Sequence, residues 1–289
     1  MHAITYEAPR SLERALSLLR QNGPAARVFC GGTDIIIQMR AGVRRPEHLI
    51  DAKGIPELRK LSFDAKKGLC LGAAVSCIEI FESALMRQHY TGLTEAAHLI
   101  GSLQIQARAS VGGNLCNGSP AADSTPALIA LGAVAKIASA RGERKVPVDQ
   151  FVTAPGRTVL EPDELLVEVH VPAPVNHSAD AYLRFIPRNE MDIAVVGVGA
   201  AVTLEGERCV AARIGLGAVA PTPLLADAAS KALVGSKLDE RAIEHAAELA
   251  VGASSPIDDM RGTAEFRRHL VGVLTRRVVG LAAERARAR

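Results

Sequence analysis

ASVGGNLCNGSPAADS, residues 109–124, crowds glycine, asparagine and hydroxyl side chains between a helical stretch at 91–107 and a second helix, TPALIALGA, led by Pro126. Its centre, Ser110-Val111-Gly112-Gly113-Asn114, sets two glycines beside a hydroxyl and an amide, with Asn117, Ser119 and Asp123 shortly after. Consecutive glycines carry no Cβ, so their backbone N–H groups can turn outward and come close to an anion. A similar cluster stands about 80 residues upstream. There Phe29-Cys30-Gly31-Gly32-Thr33-Asp34 ends a strand, ARVFC, and opens the apolar DIIIQMRAG, which is expected to be a helix. Alone, that cluster reads as a tight strand-to-helix turn. Taken together, and with no Walker lysine in either, the two suit a diphosphate held from both sides without Mg²⁺, and so a dinucleotide cofactor.

Outward from these clusters the chain alternates helices and strands. Residues 11–22 place Leu12, Ala15, Leu16 and Leu19 on one helical face behind Ser11 as N-cap, and Gly23-Pro24 stops them. HLIDA (48–52) and KKGLCLGAAV (66–75) read as strands, 76–88 as a helix, and Ala133–Ser139 and Glu164–Val171 as further strands. Pro172-Ala-Pro-Val-Asn-His-Ser178 is a proline-rich linker, giving units at 1–172 and 178–289. Past it, YLRFIPR, IAVVGVGAAVTL and VAARIGLGAVA have strand character, and helices are expected at 238–252 and 262–286. The class is mixed α+β. Gly215-Leu-Gly217-Ala-Val-Ala220 fits the G-x-G-x-x-G/A dinucleotide pattern, but that fingerprint must open a helix. Pro221-Thr-Pro223 follows it at once, so the run reads as strand and turn.

The 289 residues suffice for two domains at ~150 residues each, and for a core that needs no disulfide. A net charge of +3 and 3% aromatics argue against a nucleic-acid surface. Uncharged runs such as Ile193–Leu204 fall short of the ~18 apolar residues that span a bilayer, and the N-terminus lacks a secretory apolar core. The five cysteines have no zinc or iron–sulfur spacing, which suggests reduced thiols in a cytoplasmic protein. The arginine-rich end reads as a solvated amphipathic helix.

V-F-C-G-G-T-D-I, then A-S-V-G-G-N-L-C-N-G-S-P-A-A-D-S-x-P, then R-N-E-M-D-I-A-V-V, in that order, resemble the FAD-binding medium subunit of the molybdenum hydroxylases. That family includes carbon monoxide dehydrogenase and xanthine dehydrogenase, and the resemblance covers almost the whole chain. It implies a two-lobed FAD-binding domain of the vanillyl-alcohol-oxidase/p-cresol-methylhydroxylase (PCMH) type at 1–172, with lobes at about 1–53 and 54–172. A smaller α+β domain of the CO dehydrogenase flavoprotein C-terminal type would follow at 178–289.

By this resemblance Phe29 and Cys30-Gly31-Gly32-Thr33-Asp34-Ile35 would wrap the pyrophosphate from one lobe, and Ser110, Val111, Gly112, Gly113 and Asn114 from the other. Asp123 would contact the adenosine end, Ile100 and Leu166 would pack on the cofactor, and Arg184 would supply a basic contact. Asp192 and Ile193 would lie nearest the isoalloxazine. Thr33 and Asp34 stand where covalent relatives carry a histidine, so the FAD is expected to be non-covalent. No cysteine-rich insertion for an additional 4Fe–4S cluster is present. The resemblance implies an electron-transfer subunit working beside a small 2Fe–2S subunit and a large molybdopterin subunit. Its external acceptor would be NAD, a quinone, a cytochrome or O₂. The alternatives are a free-standing FAD-dependent oxidase or reductase of the same superfamily, and a structural subunit that has lost FAD. The intact glycine pairs argue against the latter.

Overall fold

The computed structural model describes residues 3–289. The N-terminal lobe comprises β1 (Thr5–Glu7), α1 (Leu12–Asn22), β2 (Ala26–Phe29), α2 (Ile35–Arg40) and β3 (His48–Asp51). Its three strands form a parallel sheet in the order β1-β3-β2. Ser11 caps α1 by accepting the Arg14 N–H, and Gly23 ends it with φ at 49°. The buried face of α1, Ala15, Leu16, Leu18 and Leu19, packs with Ile50, Ile55 and Leu58.

The second lobe runs through β4 (Leu61–Asp64), β5 (Gly68–Gly72), α3 (Cys77–Glu82), α4 (Ala84–His89), α5 (Thr91–His98), α6 (Leu103–Gln106), α7 (Val111–Asn117) and α8 (Ser124–Ala130). It continues with β6 (Val134–Ser139), β7 (Gly142–Pro147), β8 (Val152–Ala154), β9 (Arg157–Thr158) and β10 (Leu165–Val171). An antiparallel sheet in the order β4-β5-β10-β6-β7 backs the helices. Two expected helices are broken. The one at 76–88 divides at Ser83, which leaves helical dihedrals to cap the Met86 N–H. The one at 91–107 divides at Gly101, whose φ of 64° suits a glycine and not a helix interior. β7 is absent from the expectations because GERKVP is an exposed edge strand with no apolar alternation to betray it.

The C-terminal unit has β11 (Ser178–Phe185), β12 (Val196–Glu205), β13 (Arg208–Gly217) and β14 (Leu224–Leu225) as one antiparallel sheet. It is covered by α9 (Asp227–Leu233), α10 (Glu240–Ala253) and α11 (Ala264–Arg287). Leu270, Leu274, Val278 and Ala282 form the buried stripe of α11. The run at 215–220 lies at the end of β13, as a strand and turn. Its Gly215 lets the sheet press on α8: a Cβ there would come within 2.3 Å of the Pro126 carbonyl oxygen. One face of the sheet therefore packs on the second lobe and the other on α11.

Candidate functional site

A cleft of about 630 Å³ lies between the two N-terminal lobes, and both glycine clusters line it. The first cluster follows β2, where Gly32 takes a φ of 79°. The N–H groups of Gly31, Gly32, Thr33 and Asp34 find no acceptor among the described residues. Such a run of unengaged amides makes an anion-binding concavity. The side chain of Asp34 also finds no partner among the described residues, and burial raises its carboxyl above the ordinary range. Behind the turn, Lys53 Nζ donates to the carbonyl oxygen of Cys30 at 3.0 Å and to Asp51 Oδ1 at 2.7 Å. Asp51 also accepts from the Tyr6 hydroxyl. Burial pushes the Asp51 carboxyl up, but the hydrogen bonds from Lys53 and Tyr6 prevail and hold it below its usual value.

The second cluster is the first turn of α7 rather than a loop before a helix. Ser110 is its N-cap and accepts the Gly113 N–H at 3.0 Å, so that donor is already engaged. Asn114 Oδ1 accepts from the Ser124 hydroxyl at 2.6 Å, tying α7 to the start of α8. Cys30 Sγ lies 3.5 Å from Ser110 Oγ, a direct link between the two clusters.

The glycines divide into two kinds. A Cβ on Gly31 would stand 2.1 Å from the Arg108 carbonyl oxygen, and one on Gly112 would stand 2.5 Å from the Ala73 backbone. Close packing of protein on protein demands these two. A Cβ on Gly113 would meet only Ser110 Oγ, at 3.0 Å, so this position opens toward the cleft. Gly32 is held by its backbone conformation and by the Phe29 ring, 2.8 Å from where its Cβ would be.

Of the remaining expected site residues, Ile35, Ile100 and Leu166 line the cleft. Phe29 lies beneath the turn, with Lys53 Nζ 4.4 Å from its ring centre, and Val111 is in the core of the second lobe. Asp123 and Arg184 stand outside the lining and face each other at 2.7 Å. Asp192 also lies outside it, 3.6 Å from both Arg188 and Arg261, and Ile193 is half exposed.

Gln38 and Arg44, which no sequence motif marks, close the cleft, the first through Asn117 of the second cluster. Gln38 Nε2 donates to Asn117 Oδ1 at 2.8 Å, and Arg44 donates to the Gly156 carbonyl at 3.1 Å. Both bonds run from the N-terminal lobe to the second. Arg27 and Arg157 line the same region, and burial with the nearby Arg44 lowers the Arg27 pKa. No local pattern marks these pairs, whose members are 79 and 112 residues apart.

The cleft's free amides, neutral hydroxyls and arginines fit an elongated dinucleotide with an anionic centre. A two-lobed cleft of this kind, followed by a sheet-and-helix unit, defines an FAD-binding flavoprotein subunit. The family model for the FAD binding domain in molybdopterin dehydrogenase matches residues 2–174, and that for the CO dehydrogenase flavoprotein C-terminal domain matches 181–282. The chain is 34% identical over 284 residues to the carbon monoxide dehydrogenase medium chain of Afipia carboxidovorans, covering 98% of this chain and 96% of that one. It is 33% identical to the xanthine dehydrogenase FAD-binding subunit of Escherichia coli, covering 95% and 94%. Among solved structures, the carbon monoxide dehydrogenase of Hydrogenophaga pseudoflava superposes with a TM-score of 0.94 at 32% identity, covering 99% of this chain and 98% of that one. Quinoline 2-oxidoreductase of Pseudomonas putida gives 0.90 at 31%, with the same coverage. The chain belongs to the FAD-binding subunits of the molybdenum hydroxylases, and the α+β fold expected from its motifs is the one observed.

Proposed function

We propose that this chain is the electron-transfer subunit of a heterotrimeric molybdenum hydroxylase. It would pass electrons from the 2Fe–2S clusters of a small subunit, through non-covalent FAD, to an external acceptor such as NAD, a quinone, a cytochrome or O₂. A large subunit would carry the molybdopterin. The reading rests on the unengaged amides of Gly31 to Asp34, set in a cleft with chemistry for a diphosphate. The whole-length likeness to dehydrogenase medium chains supports it further. We assign the cofactor contacts to the lining residues: Gly31 to Ile35, Ser110, Gly112, Gly113, Asn114, Ile100 and Leu166. Val111, Phe29, Asp123 and Arg184 hold the walls from behind. FAD, when bound, accepts electrons one or two at a time, while the protein binds and orients it. The unit boundary falls in the linker at 172–178, and the site of action is the cytoplasm.

Heat or acid release from the purified protein tests the cofactor: FAD in the supernatant is expected, and FMN or flavin left on the precipitate would contradict the reading. Assembly with the partner subunits tests the role. Flavin reduction by the reducing substrate only when all three chains are present supports the subunit reading, and turnover by this chain alone would replace it with a free-standing oxidoreductase.

A further inference from the structure

We propose that Lys53 is the positioning residue of the first glycine turn, setting its amides for the cofactor's diphosphate without touching the cofactor. The inference rests on the assignment of FAD to this cleft. Lys53 lies outside the cleft lining, yet its ammonium donates to the Cys30 carbonyl oxygen at 3.0 Å. That carbonyl belongs to the same planar, trans peptide as the Gly31 N–H, and in such a peptide C=O and N–H point in opposite directions. Anchoring the oxygen on Lys53 therefore turns the Gly31 N–H away from Lys53. It is the first in the run of amides that find no acceptor among the described residues.

The ammonium is itself fixed on several sides. Asp51 Oδ1 takes the Lys53 backbone N–H at 2.9 Å and Nζ at 2.7 Å, the Tyr6 hydroxyl holds the other oxygen of Asp51, and the Phe29 ring lies 4.4 Å away. The same ring bounds the space beside Gly32. One network of Tyr6, Asp51, Lys53 and Phe29 thus holds the Cys30 carbonyl and sets the ring against Gly32. A cation on the carbonyl also polarises the peptide and strengthens its N–H as a donor to an anion. Neither glycine cluster contains a lysine, so Lys53 brings positive charge to the turn through one peptide bond.

The test is titration of the FAD-free protein with FAD, ADP and adenosine, for the wild type and for Lys53→Met, Lys53→Arg and Asp51→Asn, alongside thermal unfolding of each. Lys53→Met is expected to weaken FAD and ADP about tenfold or more. Adenosine, which lacks the diphosphate, should bind as before, and Lys53→Arg should recover most of the loss. Asp51→Asn should weaken the same two ligands by a smaller factor. Unchanged FAD and ADP binding in Lys53→Met overturns the proposal. So does an equal loss for adenosine, which would mark Lys53 as a prop for the lobe alone. If Lys53→Met does not fold, Asp51→Asn decides by the same ADP-to-adenosine comparison. A wild type that takes up no FAD would instead overturn the cofactor assignment itself.

Discussion

Arg184 and Asp123, 61 residues apart, form an ion pair at 2.7 Å with both side chains almost sealed from solvent. It joins β11 of the C-terminal unit to the N-cap of α8 in the second lobe, and the Tyr182 hydroxyl adds a hydrogen bond to Asp123 at 2.8 Å. Burial raises the Asp123 carboxyl while Arg184 and Tyr182 pull it down, and burial prevails. Removing one partner of such a pair leaves the other charge buried alone, which costs about 3–5 kcal/mol. Asp123→Ala is therefore expected to lower the urea midpoint and melting temperature sharply. A variant as stable as the wild type would show that the pair contributes nothing to holding the two units together.

Asp180 offers a test in pH. It is fully buried; Oδ2 accepts the Leu93 N–H at 3.1 Å, while Oδ1 has no partner among the described residues. Burial pushes its pKa up to about 6, against the downward pull of the Leu93 N–H. An unfolded aspartate titrates near ~3.9. The folded state therefore keeps a proton that the unfolded chain has released, so this stabilising term is complete below pH ~4 and lost as pH rises through about 6, on the order of 1–3 kcal/mol. Asp180→Asn should flatten the stability profile between pH 4 and 6 relative to wild type, as read by melting temperature against pH. Parallel profiles would remove Asp180 as the source.

The glycines of the two clusters should respond differently to alanine. Gly31→Ala and Gly112→Ala drive a Cβ into backbone at 2.1 and 2.5 Å, so loss of folded yield and stability is expected first. Gly113→Ala needs only a slight shift of Ser110 Oγ and should fold, with any defect appearing in FAD affinity. Differential scanning calorimetry of the FAD-free proteins separates these outcomes. Equal stability of Gly31→Ala and Gly113→Ala would contradict the division.

Gly215→Ala places a Cβ 2.3 Å from the Pro126 carbonyl oxygen. The expected result is a cost of about 1–3 kcal/mol from overpacking, with one FAD per chain kept by whatever folds. A folded Gly215→Ala protein without flavin, measured by its visible spectrum, would make residues 215–220 part of the cofactor site after all.

The sequence by itself determined the glycine pairs, their order, the strand that feeds the first pair and the amphipathic α1, because turns and periodic faces are written in neighbouring residues. It also carried enough motif order to identify the family. Which glycine serves which purpose was not legible there. Ser110 engages the Gly113 amide, Arg108 forbids a side chain at Gly31, and Lys53 holds the Cys30 carbonyl, and these contacts bear on a ligand only because the fold brings the two clusters to one cleft. The pairing of Asp123 with Arg184, and the closure of the cleft by Gln38 with Asn117, likewise came only with the tertiary structure. Local propensity acts over a few residues, whereas these contacts arise when packing of the lobes and the C-terminal sheet brings together groups tens of residues apart and removes the water that would otherwise have satisfied them.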